Sequence, residues 1–286
     1  MEGRLEQVDT LNPRQFYIAV RKLADTLSYG TDASRFLGSG IEYVQSRPYQ
    51  HGDPVRSIDW RVTARTGQVH VKEYEAPKRL PCYLLIDTSA SMTVSSVARS
   101  KYAAALHLAG GIALACLDRI SPVGVIGVGS REFRVEPSLS KHQIMQWLLH
   151  LRRFRYDEPT RIGARVAELS PSLKNRALVI VLSDLHDDAA IDPLKLLAQR
   201  HEVIVLLLED PAERGVRGGG ILRAAEAETG KAFVTRARRL WLDPAAIEAQ
   251  LRRGGIDHLR IRTDRPFAHR VRNFFKARDL LGKGMR

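Results

Sequence analysis

Cysteine is scarce in this 286-residue chain: only Cys82 and Cys116 occur, each inside an apolar run. A disulfide framework or a cysteine metal cage would need more, so both are expected as buried free thiols in a reducing cytosol. Long uninterrupted apolar stretches are also lacking. The best candidate, residues 103–117, is broken by His107 and by the pair Gly110-Gly111, and is shorter than the roughly 20 residues of a bilayer span. It reads as a helix buried within a soluble fold. No apolar stretch follows Met1-Glu2-Gly3-Arg4, so no secretory leader is expected and the chain is assigned to the cytoplasm, with no membrane span. The nine histidines show no metal-like spacing. No serine sits in a Gly-x-Ser-x-Gly elbow, which excludes that form of triad hydrolase. The glycine-rich segment 215–220 lacks the Gly-Lys-Ser/Thr ending of a phosphate loop and reads as a flexible connection.

Acid is in deficit as well. Lys and Arg number 45 against 32 Asp and Glu, a formal charge of +13 that favours anionic partners. Residues 236–286 alone hold fourteen Arg and Lys against five Asp and Glu, so most of the positive field lies toward that end. What the chain has in ordinary amounts is apolar content, 44%, and charged content, 27%. Its length suits one large core with a small appendage, and a monomer is expected.

From about residue 81, short apolar runs alternate with helical stretches. Residues 82–86, 123–128, 177–182 and 203–208 read as strands buried on both faces, and 101–117, 143–151 and 193–200 as helices. Gly129-Ser130 reads as a turn into a hairpin strand at 133–135. This pattern implies an α/β fold, a mostly parallel central sheet flanked by helices. Upstream, 13–27 has helical spacing, 41–46 and 69–74 resemble strands, and 54–64 suits a short helix. That region reads as an N-terminal helix and β-rich appendage attached to the main sheet. Near the end, 245–253 and 266–278 read as helices with a strand at 259–261 between them. The expected divisions are 1–80 for the appendage, 81–264 for the main domain and 265–286 for a basic C-terminal helix and tail. No internal repeats are visible.

The most informative segment is Asp87-Thr88-Ser89-Ala90-Ser91-Met92, at the carboxyl end of the first buried strand. Ligands of open α/β sheets bind outside those strand ends. Asp87, Ser89 and Ser91 place one carboxylate and two hydroxyls at alternate positions, able to turn toward one point. Asp184 ends the strand from 177, on the same edge, and Thr160 could add a third hydroxyl. Few, hard oxygen donors suit Mg2+ or Mn2+. The competing reading is that these residues are ordinary turn and N-cap residues. Replacing Asp87 by Ala is expected to spare the fold, since a strand-end residue carries little packing.

Asp87-x-Ser89-x-Ser91, the downstream Thr160 and Ser183-Asp184 resemble the metal-ion-dependent adhesion site of von Willebrand factor A domains. Gly52-Asp53-Pro54-Val55-Arg56-Ser57-Ile58-Asp59-Trp60, Ala64-Arg65-Thr66-Gly67 and Val71-Lys72-Glu73-Tyr74 resemble a bacterial family of unknown function numbered fifty-eight. Glu228-Thr229-Gly230 and the segment from Gly255-Ile256-Asp257 to Thr263-Asp264 are further echoes. The resemblance implies a von Willebrand factor A-like fold and partnership with a MoxR-type AAA+ ATPase. Such pairs act as chaperones that mature or activate a client protein, some by metal insertion, with one branch accompanying methanol dehydrogenase. It also implies Ser89 and Ser91 as direct ligands, Asp87 and Asp184 as direct or water-bridged ligands, and one position open to a partner's carboxylate. This sequence departs from the family at Glu158-Pro159-Thr160-Arg161, where a Gly-Gly-Thr-Asp-like loop is usual. Pro159 stiffens that loop, and Arg161 sets a cation beside Thr160.

Asp53 and Arg56 lie in a segment readable as a partner-docking hairpin. Trp60 reads better as an anchor of the appendage to the main sheet, with Asp59 paired to a nearby arginine. His186 reads as a loop residue. Two other functions stay open. A haloacid dehalogenase-like phosphatase also puts an aspartate at its first strand end, but its general acid would have to be Ser89, whose hydroxyl cannot do that work near neutral pH. Alternatively Arg252, Arg253, Arg260, Arg262, Arg270, Arg272 and Arg278 could line nucleic-acid phosphates. Phe267, Phe274 and Phe275 have the spacing of a helix packed on the core with its arginines outside, so an acidic protein surface is the expected recipient of this charge.

Overall fold

The structure, a computed structural model, describes residues 2–4, 13–28, 42–75, 80–118, 120–130, 133–155, 159–214, 221–225, 232–236 and 244–280. The expected loop at 215–220, Glu158 and the Glu228-Thr229-Gly230 echo lie outside them. In chain order the elements are β1 (Glu2–Arg4), α1 (Pro13–Ser28), β2 (Glu42–Pro48), α2 (Trp60–Thr66), β3 (His70–Glu75), β4 (Cys82–Ile86), α3 (Lys101–Asp118), β5 (Val123–Gly127), β6 (Arg134–Ser138) and α4 (Lys141–Leu151). There follow β7 (Arg153–Arg155), α5 (Ile162–Ser172), β8 (Leu178–Ser183), α6 (Ile191–Arg200), β9 (Glu202–Glu209), β10 (Ile221–Ala225), β11 (Ala232–Arg236), α7 (Pro244–Arg253), β12 (Asp257–Arg262) and α8 (Ala268–Leu280).

Six strands form the central sheet in the order β12-β9-β8-β4-β5-β6. All neighbours are parallel except β5 and β6, the expected hairpin. Side-chain alternation splits the core in two. Cys82, Leu84 and Ile86 of β4 face α1, α3 and α4, together with Phe267 and Val271. Tyr83 and Leu85 face Ile162, Val166 and Leu169 of α5 and Leu194 and Leu197 of α6. Cys82 and Cys116 are free and buried, as the sequence implies.

β4 continues through α3 to β5 on one side of the sheet, whereas β8 continues through α6 to β9 on the other. Strand order therefore reverses between β4 and β8. This switch point is where an α/β sheet opens a crevice at its carboxyl edge, and Asp87 and Asp184 follow directly after these two strands.

The N-terminal region differs from expectation. α1 is part of the core: Val20, Leu23 and Ala24 are buried in the same cluster as α3. Among the described residues β2 and β3 form a separate two-stranded sheet, with one further bridge from Ile58 to Val71 of β3, and do not extend the six-stranded sheet. Trp60 does not anchor this unit, being 67% exposed. The inward position goes to its neighbour Asp59, which pairs with no arginine side chain among the described residues. Its carboxylate accepts the N–H groups of Arg61 (3.1 Å) and Val62 (3.2 Å), capping α2, and the Ser46 hydroxyl (2.8 Å). α5, β1, β7, β10 and β11 were not anticipated by the sequence reading. Among the described residues no helix is long and apolar enough to cross a membrane.

Candidate metal centre

The turn after β4 folds back on the sheet. Ala90–Thr93 forms a single 3-10 turn with Ser89 at its N-cap position, yet the Ser89 side chain makes no cap hydrogen bond. Its hydroxyl lies 3.0 Å from Ser91 Oγ, and Ser91 Oγ donates to Asp184 Oδ2 at 3.0 Å. The capping alternative thus fails for Ser89, whereas Asp87 does accept the Ser89 N–H at 3.0 Å. Ser183, the last residue of β8, donates from its hydroxyl to Asp87 Oδ2 at 2.5 Å and accepts the Leu185 N–H at 2.8 Å. Leu185 itself is buried in the left-handed region, φ 53°. A bulky residue tolerates that conformation only where its surroundings enforce it, and such residues concentrate at functional sites.

Asp87, Ser89, Ser91 and Asp184 are therefore brought together, and all are buried. This corrects the expectation for Asp87. It is a fully buried partner of two hydrogen bonds, so Asp87→Asn, rather than alanine, is the substitution that spares the fold. Thr160 is brought to the neighbouring strand end. The N–H of Arg161 donates to Val128 O at 3.1 Å, and Val128 N donates to Ile86 O, one residue before Asp87. At the start of α5 the N–H of Gly163 donates to Asp187 Oδ2 at 3.0 Å.

Several contributors escaped the sequence reading. Lys101, at the start of α3, is 1% exposed, with Nζ 2.6 Å from Asp184 Oδ2 and an ion pair to Glu213 Oε1. Asp210, after β9, accepts the Ser96 N–H at 2.9 Å and the Ser96 hydroxyl, tying the loop that follows Ser91 to a third strand end. His186 lies closer than a plain loop residue would, with Nδ1 3.6 Å from Asp184 Oδ2. The acids at 209–210 closing the strand from 202 were a readable signal. Lys101 had only one, a lysine beginning an otherwise apolar helix.

The electrostatics are those of a crowded anionic pocket. Burial, then the charge of Asp184, pushes the Asp87 carboxyl up to about 7, against the hydrogen bonds from Ser183 and Ser89. Burial also pushes Asp184 upward, but the Lys101 ammonium outweighs it and holds this carboxyl below its ordinary value. Lys101 is raised in turn: its burial works against the charge, and Asp184 and Glu213 overcome it. Two carboxylates and two buried hydroxyls are hard oxygen donors, and Asp87 is strained toward protonation for want of positive charge. The donor set thus fits a divalent cation. A cavity of about 370 Å3 lined by Phe133, Arg134, Arg165 and Glu168 lies elsewhere, under the β5–β6 hairpin.

The family profile described as Protein of unknown function DUF58 matches residues 45–244, most of the chain. The chain belongs to this family. Uncharacterized proteins of Mycobacterium bovis and Mycobacterium tuberculosis are each 25% identical over 284 residues, covering 93% of this chain and 88% of theirs. The uncharacterized protein YeaD of Bacillus subtilis is 29% identical over 147 residues, half of this chain and 34% of its own length. The DUF58 match takes in the later part of β2, all of β3 and the strand ends that carry Asp87 and Asp184.

Of the weaker site residues, Asp53 is committed internally. Its carboxylate pairs with both guanidinium nitrogens of Arg47 at 2.8 Å and accepts the Gln50 N–H, which holds it well below the usual carboxylate range, at about 2. Arg56 is exposed on the same turn, and Arg252 and Arg253 are exposed in the last turn of α7. Arg260 pairs with Glu248 at 3.2 Å and Arg262 with Asp264 at 2.6 Å, so these two are not a free phosphate-binding stripe.

Proposed function

We propose that this chain is a von Willebrand factor A-like, non-catalytic interaction module that holds Mg2+ or Mn2+ through Asp87, Ser89, Ser91 and Asp184, with Thr160 alongside. One observation carries the reading: two carboxylates from adjacent strand ends and two buried hydroxyls, free of capping duty, converge at the topological switch point of the sheet. A cation there would supply a positive charge only partly neutralised, attractive to a partner's carboxylate. The chain's own residues do the positioning. Ser183 orients Asp87, Lys101 orients Asp184, and Asp210 ties down the loop after Ser91. Ser91 and His186 form the side of the cluster nearest solvent.

The family resemblance points to a MoxR-type AAA+ ATPase as the partner, in maturation of a client protein, with metal insertion into methanol dehydrogenase as one form. Exposed Val55 and Trp60, 69% and 67% accessible, beside Arg56 supply a second contact, and Arg252 and Arg253 a long-range attraction. Surface capture of such an ATPase tests this. Chelation by EDTA and Ser89→Ala should weaken binding by a similar factor, about tenfold or more when a buried charged contact is lost. Trp60→Ala should weaken it without lowering thermal stability. Charge reversal at Arg252 and Arg253 should slow association and flatten its salt dependence. Full-strength capture in EDTA would exclude a metal bridge. Phosphoester turnover that disappears in Asp87→Asn would favour a phosphatase, and tight, steeply salt-dependent binding to duplex DNA would favour nucleic acid.

A further inference from the structure

Lys101 stands where a lysine is least expected. It is the first residue of α3, at the positive end of a helix dipole, and its side chain is 1% exposed. A buried ammonium persists only when paired. Its partners are Asp184, at 2.6 Å, and Glu213, from the segment after β9. Asp184, His186 and Glu213 present oxygen and nitrogen atoms within 4.8 Å of one another, a grouping able to hold a metal ion. The cation that meets two of them is Lys101. Ser91 Oγ and Lys101 Nζ address the same oxygen, Asp184 Oδ2, so the ammonium lies against the carboxylate that the metal reading needs. Among the described residues, two carboxylates, Asp184 and Glu213, meet this one ammonium and leave one net negative charge.

We propose that Lys101 is a tethered counter-cation of the centre: it occupies part of the coordinating capacity of Asp184 and Glu213 and so limits how tightly, and how many, divalent ions are held. The inference deepens the metal reading and rests on it, but its outcome is separable. A purely structural lysine would affect stability alone, whereas a counter-cation must affect metal affinity in the opposite sense to stability.

The experiment is calorimetric titration of the full chain with Mn2+ at pH 8, comparing wild type, Lys101→Met and Lys101→Arg. Removing a unit positive charge beside the ion should tighten Mn2+ binding at least about tenfold or add a second equivalent. Lys101→Arg, which keeps the charge, should stay within about threefold of wild type on the same argument. The melting temperature of Lys101→Met in EDTA should fall, and Mn2+ should raise it by more than it raises that of wild type. Unchanged or weaker Mn2+ binding in folded Lys101→Met would overturn the proposal and leave the metal reading intact. Binding by Lys101→Met but not by wild type would support it while removing the native metal site. Binding by neither overturns both. Should Lys101→Met fail to fold, Lys101→Gln, which removes the charge but keeps a hydrogen-bond donor toward Asp184 and Glu213, is titrated instead. Affinity no tighter than wild type would then overturn the proposal.

Discussion

At the scale of single residues, Asp87 concentrates the chemistry of this molecule. Its carboxyl is pushed from an ordinary 3.8 up to about 7 by burial and by Asp184. Between those values the folded chain holds a proton that the unfolded chain has released. The contribution of this group to stability is therefore fully present below about 4, falls as pH rises toward 7, and is flat above. Urea unfolding in EDTA at pH 5 and pH 8 should show wild type losing midpoint across this interval and Asp87→Asn losing less. Equal losses would show that Asp87 titrates normally. The motif Asp87-x-Ser89-x-Ser91 and Asp184 were legible because alternate polar residues at a strand end have few roles. Lys101 and Glu213 were not, because their partners lie 83 and 112 residues away in sequence and no local pattern marks such a pairing.

At the scale of elements, α3 is the organising piece. It is buried on nearly every face, and the pair Gly110-Gly111, which interrupts the apolar run in the sequence, is what lets α1 approach. A Cβ at Gly111 would lie 2.6 Å from Leu23 Cγ, and one at Gly110 2.8 Å from Val20 Cγ1. Gly111→Val should cost about 1–3 kcal/mol by overpacking, and distinctly less in a Leu23→Ala background, as urea unfolding of the four proteins of this cycle would show. Equal costs in both backgrounds would mean that the glycine serves some other purpose. The strands of the central sheet were readable as continuous apolar runs. α5 carries Ile162, Val166 and Leu169 at helical spacing, but Pro159 just before it and Pro171 within its last turn obscure that pattern in the sequence. Trp60 was misassigned for a different reason: aromatic bulk argues for burial in general, and a cap at Asp59 decides which neighbour turns inward.

At the scale of the whole molecule, the sheet reverses its strand order between β4 and β8, and the acids gather there. The basic excess belongs to residues 236–286, where Phe267 and, on α8, Val271 are buried in the core. The α/β class, the mostly parallel sheet and the placing of Asp87 and Asp184 at adjacent strand ends followed from the pattern of apolar runs. The separate β2–β3 sheet and the incorporation of α1 into the core did not, since antiparallel pairing and helix docking depend on contacts that periodicity does not specify. The central claim is that the acids at the switch point hold a divalent ion, and direct counting of bound Mn2+ by electron paramagnetic resonance tests it. Wild type should bind Mn2+ at one site in competition with Mg2+, and Asp87→Asn and Ser89→Ala, both folded by circular dichroism, should lose that signal. Undiminished Mn2+ binding in both variants would contradict the account.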